Sequence, residues 1–522
     1  MVDKVALDAM VRRADFAIGS LESVPTDQIS TLSVESLGKQ SMITPMLRKP
    51  DFQRETNHWT PLQLLSFLES FLDHELIPSV ILWRSPAFVF VIDGGHRLSA
   101  LRAWIEDDYG DGPISRAFYN NEISADQARI AQKTRRLVEE KIGSYVKIKD
   151  ALVNPDVYLP KEVARSRNMA TRSLSLQWVV GDAEKAETSF FKINTQGTPL
   201  DSTEEFLLRN RKRSVAIAAR ATIRAATGHK YWSKFEDEKS KRIEELSKKV
   251  HELIFKPEIV EPIKTLSLPV GGKAAPLAAI DLLIKLIIQT NASQSKPKPT
   301  VEEFEVDIDG SETIKVLTQS EKVMARLTGN SGGSLGLHPA VYFYTDKGRH
   351  SADMLMGWAH LISMKLANND SSFFQKFTLA RKTIESFLIE QKPIMGVILQ
   401  AVSSNQRVER MSGFFGAMVN KVGKGELLTT EWAVETIAPN SRTKVMLSAE
   451  EAAGKSFSTD TKSAIYIKES LGGAMKCPIC DGYLEASSSV SYDHVERVRE
   501  GGLGTTDNGR LTHPFCNTGV KN

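Results

Sequence analysis

The sequence predicts an α+β protein of several domains: a small α/β domain, a mostly helical middle, and a short metal-stapled module at the C-terminus. Three observations carry this reading. The chain has 522 residues, where domains run to roughly 100–200 residues each. Between residues 60 and 106 the apolar pattern reads helix–strand–turn–strand–loop–helix. The 3 cysteines, Cys477, Cys480 and Cys516, all fall in the last 46 residues, and the 476 residues before them hold none.

Composition narrows the function classes. Hydrophobic residues make up 41% and charged residues 25%, an ordinary globular balance with material for buried cores. The net charge of +3 announces neither a nucleic-acid nor a membrane partner by itself. An odd and small cysteine count excludes a disulfide-built secreted fold. The start M-V-D-K-V-A-L-D-A-M-V-R-R is amphipathic and lacks the apolar core of a secretory signal. The most apolar stretch, 274–290, carries Asp281 and Lys285 and is shorter than the ~20 apolar residues of a membrane span. It reads as a buried amphipathic helix. A soluble, cytoplasmic chain without a membrane partner is expected, and no internal repeat is found.

The elements follow in order. Residues 1–42 read as helical at first and then irregular. Thr60-Pro61 is an N-cap followed by proline at the first helical position, and Leu64, Leu65, Leu68, Phe71 and Leu72 recur at helical spacing. S-V-I-L-W is a short strand, R-S-P a turn, and A-F-V-F-V-I (87–92) a second, central strand. D-G-G (93–95) then opens a helix. Residues 122–186 read as charged and mostly helical, with an excursion near Pro155–Pro160. Ser202 and Glu205 form a capping-box pattern, and the chain reads as helical to about 290. Residues 291–313 and N-S-G-G-S-L-G (330–336) are loops, residues 350–420 are amphipathic helix, and the Ser/Thr/Lys-rich stretch 440–465 joins the helical body to the last module. The expected domains are 1–205, 206–440, a linker at 441–470, and 471–522.

The last module carries the most specific signal. Cys477 and Cys480 form a C-x-x-C knuckle, and His513 and Cys516 form an H-x-x-C pair beginning 33 residues after Cys480. Together they supply the four ligands of a tetrahedral structural Zn²⁺ site. A module of this size has little core of its own, so a metal staple is physically reasonable. Between the pairs stands Asp493-His494. On a strand these point to opposite faces, so one can hold a metal while the other works as a base. Asn508 and Asn517 follow.

This set resembles the HNH, or ββα-metal, nuclease family over 477–522. The resemblance implies that Asp493 and Asn517 bind a catalytic Mg²⁺ or Mn²⁺, and that His494 is the general base for the attacking water. Asn508 would hold the His494 loop in shape, and the metal would stabilise the scissile phosphate. Many relatives have a cysteine where His513 stands. His513 could instead be the metal-binding third residue of the signature, with Asn517 spare; zinc is preferred because its site otherwise has three protein ligands. The alternative for the module is a zinc ribbon that only binds or folds.

A second constellation lies near the N-terminus. I-D-G-G-H-R-L-S-A-L is strand, glycine turn and helix. Gly94 and Gly95 allow close approach of a phosphate, the open helix N-terminus favours an anion, and Arg97 supplies a charged fork. Asp93 could organise a metal or a water. Upstream stands D-F-Q-R (51–54) and then Trp59, read as core; downstream stands F-F-K-I-N-T-Q-G-T-P-L (190–200). In this order the motifs resemble the ParB/sulfiredoxin-like domain of GmrSD-type restriction proteins, over about 40–210. There the middle motif reads D-G-Q-Q-R; here Gly95 and His96 replace the two glutamines. The resemblance implies binding of a nucleoside triphosphate, often with hydrolysis, through Gln53, Arg54, Asp93, Gly94, Gly95, His96, Arg97 and Asn194. For Asn194 the alternative is a turn-capping role.

The basic runs R-N-R-K-R (209–213), K-T-R-R (133–136) and K-S-K-R (239–242) could touch DNA phosphate or be solvated helix faces. The strand-like H-P-A-V-Y-F-Y (338–344) could line a base-reading pocket, with core packing favoured. The functional expectation is an anti-phage restriction endonuclease, modification-dependent and controlled by its nucleotide-binding domain. A monomer would nick one strand, and a homodimer would be needed for double-strand breaks. The alternatives are a nucleotide-switched DNA-binding regulator with a non-catalytic zinc module, and an HNH nuclease of repair or recombination.

Overall fold

Two adjacent apolar runs, Val80–Arg84 (β4) and Val89–Asp93 (β5), set the first sheet. Their turn is closed by Ser85, whose amide donates to the Phe88 carbonyl at 2.8 Å and whose hydroxyl accepts from the Phe88 amide at 3.0 Å. The other strands are Arg13–Ala14 (β1), Thr31–Ser33 (β2), Leu47–Pro50 (β3) and Ser173–Val179 (β6), in the order β1-β3-β5-β4-β6-β2. β5 is central, antiparallel to β4 and parallel to β3, while β4 and β6 run parallel. Alternate residues of the β4–β5 pair enter two cores. Leu82, Val89 and Val91 pack with Leu64, Leu68, Phe71, Leu101 and Trp104. Trp83, Phe90 and Ile92 pack with Phe16 and Phe190. Coverage of both faces is why these strands are apolar without alternation.

In this computed structural model, residues 3–14, 16, 29–50, 59–196, 202–227, 229–274, 276–439 and 457–520 are described. The chain divides into two units: Met1–Arg211 with Thr227–Tyr231, and Lys212–Ala226 with Trp232–Asn522. The first holds the six-stranded sheet with helices α1 (Pro61–Leu72) and α2 (Gly95–Glu106). Thr60 and Gln63 close a reciprocal capping box at the start of α1. The second unit is helical, with Asp237–Phe255, Pro276–Thr290, Ser311–Leu327, Ala352–Ala367, Ser371–Gln400 and Arg407–Gly423 among its helices. Its core is centred on Trp358, which stacks on Phe415 at 4.6 Å and meets Phe377 and Tyr342 edge-on at 5.4 and 5.5 Å. A two-stranded hairpin, Ser491–His494 (β7) and Gly509–Thr512 (β8), ends it.

Several expectations change. Among the described residues the chain start is irregular rather than helical, with a turn at 8–10 and Val5, Leu7, Met10 and Val11 buried. The stretch read as helix to 186 contains β6, whose Leu174, Leu176 and Trp178 alternate with polar residues, the period of a strand. The stretch read as helical to 290 is interrupted between Phe255 and Pro276. Part of the expected linker is a helix, Thr459–Gly472, capped by Ser458 and burying Ile467 and Leu471. His338–Tyr344 is not a strand: Pro339–Tyr342 is a short helix, and its buried side chains make it core rather than a pocket wall.

Candidate functional site

The C-P-I-C knuckle is a tight hairpin. The Cys477 amide donates to the Gly482 carbonyl at 2.8 Å, and the Asp481 amide to the Cys477 carbonyl at 2.8 Å. His513 and Cys516 follow β8 directly. The ligand atoms of Cys477, Cys480, His513 and Cys516 lie within 4.8 Å of one another, and all four residues are buried. His513 Nδ1 sits 3.3 Å from the Cys480 sulfur and 3.9 Å from that of Cys516. Ligand–ligand edges of about 3.5–4 Å are what a tetrahedral zinc site produces. His513 Nε2 lies 3.0 Å from the Tyr483 carbonyl, so Nε2 carries the proton and Nδ1 is left for the metal. Burial and the neighbouring Arg381 hold this imidazole below its usual pKa and so neutral, as a ligand must be. The buried cluster has the composition and geometry to bind zinc. Beside the three cysteines, the module's own apolar core holds little beyond Leu484, Ile479, Val490 and Leu511.

Under the knuckle lies a buried charge network. Arg381 and Glu385 of the helix Ser371–Gln400 are each 1% exposed and are joined by a 2.7 Å bond from Nε to Oε1. The Arg381 guanidinium also donates to the carbonyls of Leu335 at 2.5 Å and Gly336 at 2.9 Å. Glu385 accepts the Tyr342 hydroxyl at 2.9 Å and the Tyr483 amide at 2.7 Å. A side chain at Gly482 would collide with Arg381, its Cβ falling 2.5 Å from Nε.

The hairpin carries the residues predicted for chemistry. In β7, Asp493 is buried and His494 half-buried, on opposite faces, paired with Arg510 and Gly509 of β8. Arg510 Nε donates to Asp493 Oδ2 at 2.9 Å. Asn508 ties off the loop after His494: its Oδ1 accepts the Glu496 amide at 2.7 Å, and its Nδ2 donates to the carbonyls of Glu496 at 3.1 Å and Leu503 at 2.8 Å. Gly502 is required there, since a Cβ would fall 2.0 Å from the Glu496 carbonyl oxygen. Asn517 spends its amide nitrogen on Ser491 Oγ at 2.8 Å and the Tyr492 carbonyl at 3.2 Å, which leaves its carbonyl oxygen as a ligand atom. A carboxylate and an amide oxygen are hard donors that suit Mg²⁺ or Mn²⁺.

In the first unit, Gly94 sits at φ 91 between β5 and α2. A Cβ there would meet Val80 at 2.9 Å and Arg97 Nη2 at 3.1 Å, so both the backbone and the packing select glycine. Arg97 does not stand open as a phosphate fork: its Nη2 donates to Asp93 Oδ2 at 2.7 Å and to the Ser79 carbonyl at 3.2 Å. The α2 N-terminus, with Gly94 and Gly95 buried, has no side-chain cap from its N-cap Gly94, and the first amides of a helix are the groups that suit an anion. Trp59 is half-buried against the core and stacks on His96 at 5.5 Å. Asn194 lies in the last turn of the helix Ala183–Gln196. Gln53 and Arg54 lie outside the described residues.

Sequence reading missed Arg510, Arg381, Glu385 and the His96–Trp59 stack. Arg510 would have emerged from the hairpin register. Arg381 and Glu385 are an i, i+4 pair indistinguishable by spacing from a solvated surface pair. The basic runs are partly consumed by ion pairs: Lys133 with Asp3, Arg135 with Asp107 and Asp111, Arg211 with Glu187, and Lys239 with Asp309. Among the described residues no helix is long and apolar enough to cross a membrane.

Residues 34–211 match the family model of the GmrSD restriction endonuclease, N-terminal domain. That supports an N-terminal domain of the kind found in GmrSD-type restriction proteins. No curated protein and no solved structure matches the chain.

Proposed function

We propose that the protein is a restriction endonuclease whose C-terminal module nicks DNA by a one-metal HNH mechanism, under control of a nucleotide-binding N-terminal domain. The observation that carries the reading is the hairpin: Asp493 and His494 on opposite faces of β7, with Asn517 bonded to the same strand one residue away. His494, half-buried, takes the proton of the attacking water. Asp493 and Asn517 would hold a divalent ion, which would supply charge stabilisation to the scissile phosphate and the departing 3′ oxygen. Asn508 keeps the loop after His494 closed. Arg510 orients Asp493 from the facing strand.

In the N-terminal domain the reading of Gly94–Arg97 as a triphosphate-binding turn rests on Gly94 at φ 91 and on the start of α2 without a side-chain cap. The Asp93–Arg97 pair is then the polar contact that a nucleotide rearranges. A role in restriction is what the matched domain favours, and dependence on DNA modification is part of the same proposal.

The test is plasmid cleavage with Mg²⁺ or Mn²⁺, using unmodified, hydroxymethylated, glucosylated and phosphorothioated DNA. Nicked circles from the wild type and none from His494→Ala are expected. Intact supercoiled DNA on every substrate would overturn the nuclease reading in favour of a DNA-binding regulator. The Arg510 guanidinium on Asp493 is the observation that would then weigh for that rival, since a cation there opposes a metal.

A further inference from the structure

We infer that the loop Thr328–Gly336 of the helical body belongs to the nuclease centre, with Asn330 as a positioning residue for the strand that carries Asp493 and His494. The inference rests on the nuclease reading above. The loop touches the module on both sides of its metal cluster. Toward β7, Asn330 Oδ1 accepts the Val490 amide at 2.9 Å. The Gly329 amide donates to Ser489 Oγ at 2.7 Å, and Thr328 Oγ1 lies 3.1 Å from the same atom. Ser489 is fully buried. Toward the C-terminal turn, Ser334 accepts the Phe515 amide at 2.9 Å, and Gly332 accepts the Thr518 hydroxyl. Val490 directly precedes β7, and Ser491 is the acceptor for Asn517. The loop therefore sets β7 and the Asn517 turn relative to one another.

The loop is itself rigid. Its ends return to the helix Ser311–Leu327: the Leu335 amide donates to the Arg326 carbonyl at 2.8 Å, and the Leu337 amide to that of Leu327 at 2.9 Å. Arg326 donates to the Gly333 carbonyl at 2.7 Å, and Arg381 takes those of Leu335 and Gly336. Gly336 adopts φ 55, and a Cβ there would meet His513 at 3.0 Å and the Ser489 carbonyl at 3.1 Å. Glycine is what lets the loop lie against the zinc ligand. Misplacing reacting groups by about 1 Å costs ~100-fold in rate, so one hydrogen bond that sets the strand has leverage over turnover.

The experiment compares full-length Asn330→Ala and Asn330→Asp, the second keeping the acceptor oxygen. Nicking kcat and KM, bound zinc, and hydrogen–deuterium exchange of the 489–494 peptide are measured together. Expected for Asn330→Ala is a fall in kcat of ~10- to 100-fold with KM and zinc unchanged and faster exchange over 489–494. Asn330→Asp should restore both. Wild-type kcat and exchange in Asn330→Ala would overturn the proposal, as would zinc loss in that variant, which would make the loop a mere support of the fold. Should the wild type not cut DNA, the nuclease reading fails, and the exchange result still decides whether Asn330 sets the strand. Ser489→Ala, which removes the acceptor of the Gly329 amide, is the second variant: slowed turnover with zinc retained is expected, and unchanged turnover counts against the loop.

Discussion

The glycine turn of the first unit and the hairpin framed by the cysteine–histidine cluster of the second are both strand-borne candidate sites, yet they are built differently. In the hairpin, ligands and chemistry-bearing residues lie within Cys477–Asn517, and cysteines, histidine, aspartate and asparagines each have a local partner. In the turn, the candidate residues come from distant stretches of chain, and Arg97 already contacts Asp93 and Ser79. A site whose cross-link is a metal can be specified over a short stretch, because the ligand bonds replace the core a small module lacks. A site made of backbone amides and shared charges needs the whole sheet to place it.

Removing the metal is expected to have the largest effect. Structural zinc contributes on the order of 10 kcal/mol in small modules, so Cys516→Ala or a strong chelator should unfold the hairpin and abolish cleavage. The first unit's melting transition should be untouched. A coincident loss of both units by calorimetry would break the contrast.

Next comes His494→Ala. It should lower nicking by ~100- to 10,000-fold with zinc content and melting temperature preserved. Residual nicking near the wild-type rate would move the base elsewhere.

For the turn, Arg97→Ala should weaken nucleoside triphosphate binding by roughly tenfold to a hundredfold, the worth of a charge-assisted hydrogen bond. DNA nicking in the absence of nucleotide should be unchanged. Equal nucleotide affinity by titration calorimetry would leave Asp93–Arg97 a structural pair.

The smallest effect concerns pH. His338, buried beside the Arg381–Glu385 network, is held down to about 4 by desolvation, against an ordinary 6.5. Between those values the unfolded state binds more protons than the folded one. This group's contribution to stability therefore declines as pH falls below about 6.5, by roughly 2 kcal/mol from pH 7 to pH 5. His338→Gln should flatten that part of the second unit's melting profile. An equally steep decline in the variant would assign the slope to other groups.

Legibility followed the range of the interactions. The strands β4 and β5, the capped α1 and the glycine turn could be read because their signals are local periodicity and caps. The four residues of the buried cysteine–histidine cluster could be read from spacing alone. β6 escaped because its alternating leucines sit behind a charged helical stretch and pair with β4, far away in sequence. The irregular N-terminal segment escaped because its apolar residues fit a helical period as well as the core they join. The short helix at Pro339 escaped because an aromatic, β-branched run favours a strand until proline and packing around Trp358 decide otherwise. Arg510 depended on hairpin register, and Arg381 and Glu385 on burial, which no charge pattern reveals.

The sequence by itself determined which cysteines and histidine carry metal-ligand spacing and where a glycine turn joins strand to helix, because those signals lie in residue type and short spacing. The tertiary structure alone decided that Asp493 shares its carboxylate with Arg510 and that Arg97 is held by Asp93. It also decided that the loop around Asn330 closes over the zinc module. These contacts join residues by burial and register, and their energies depend on the desolvation that only the packed fold provides.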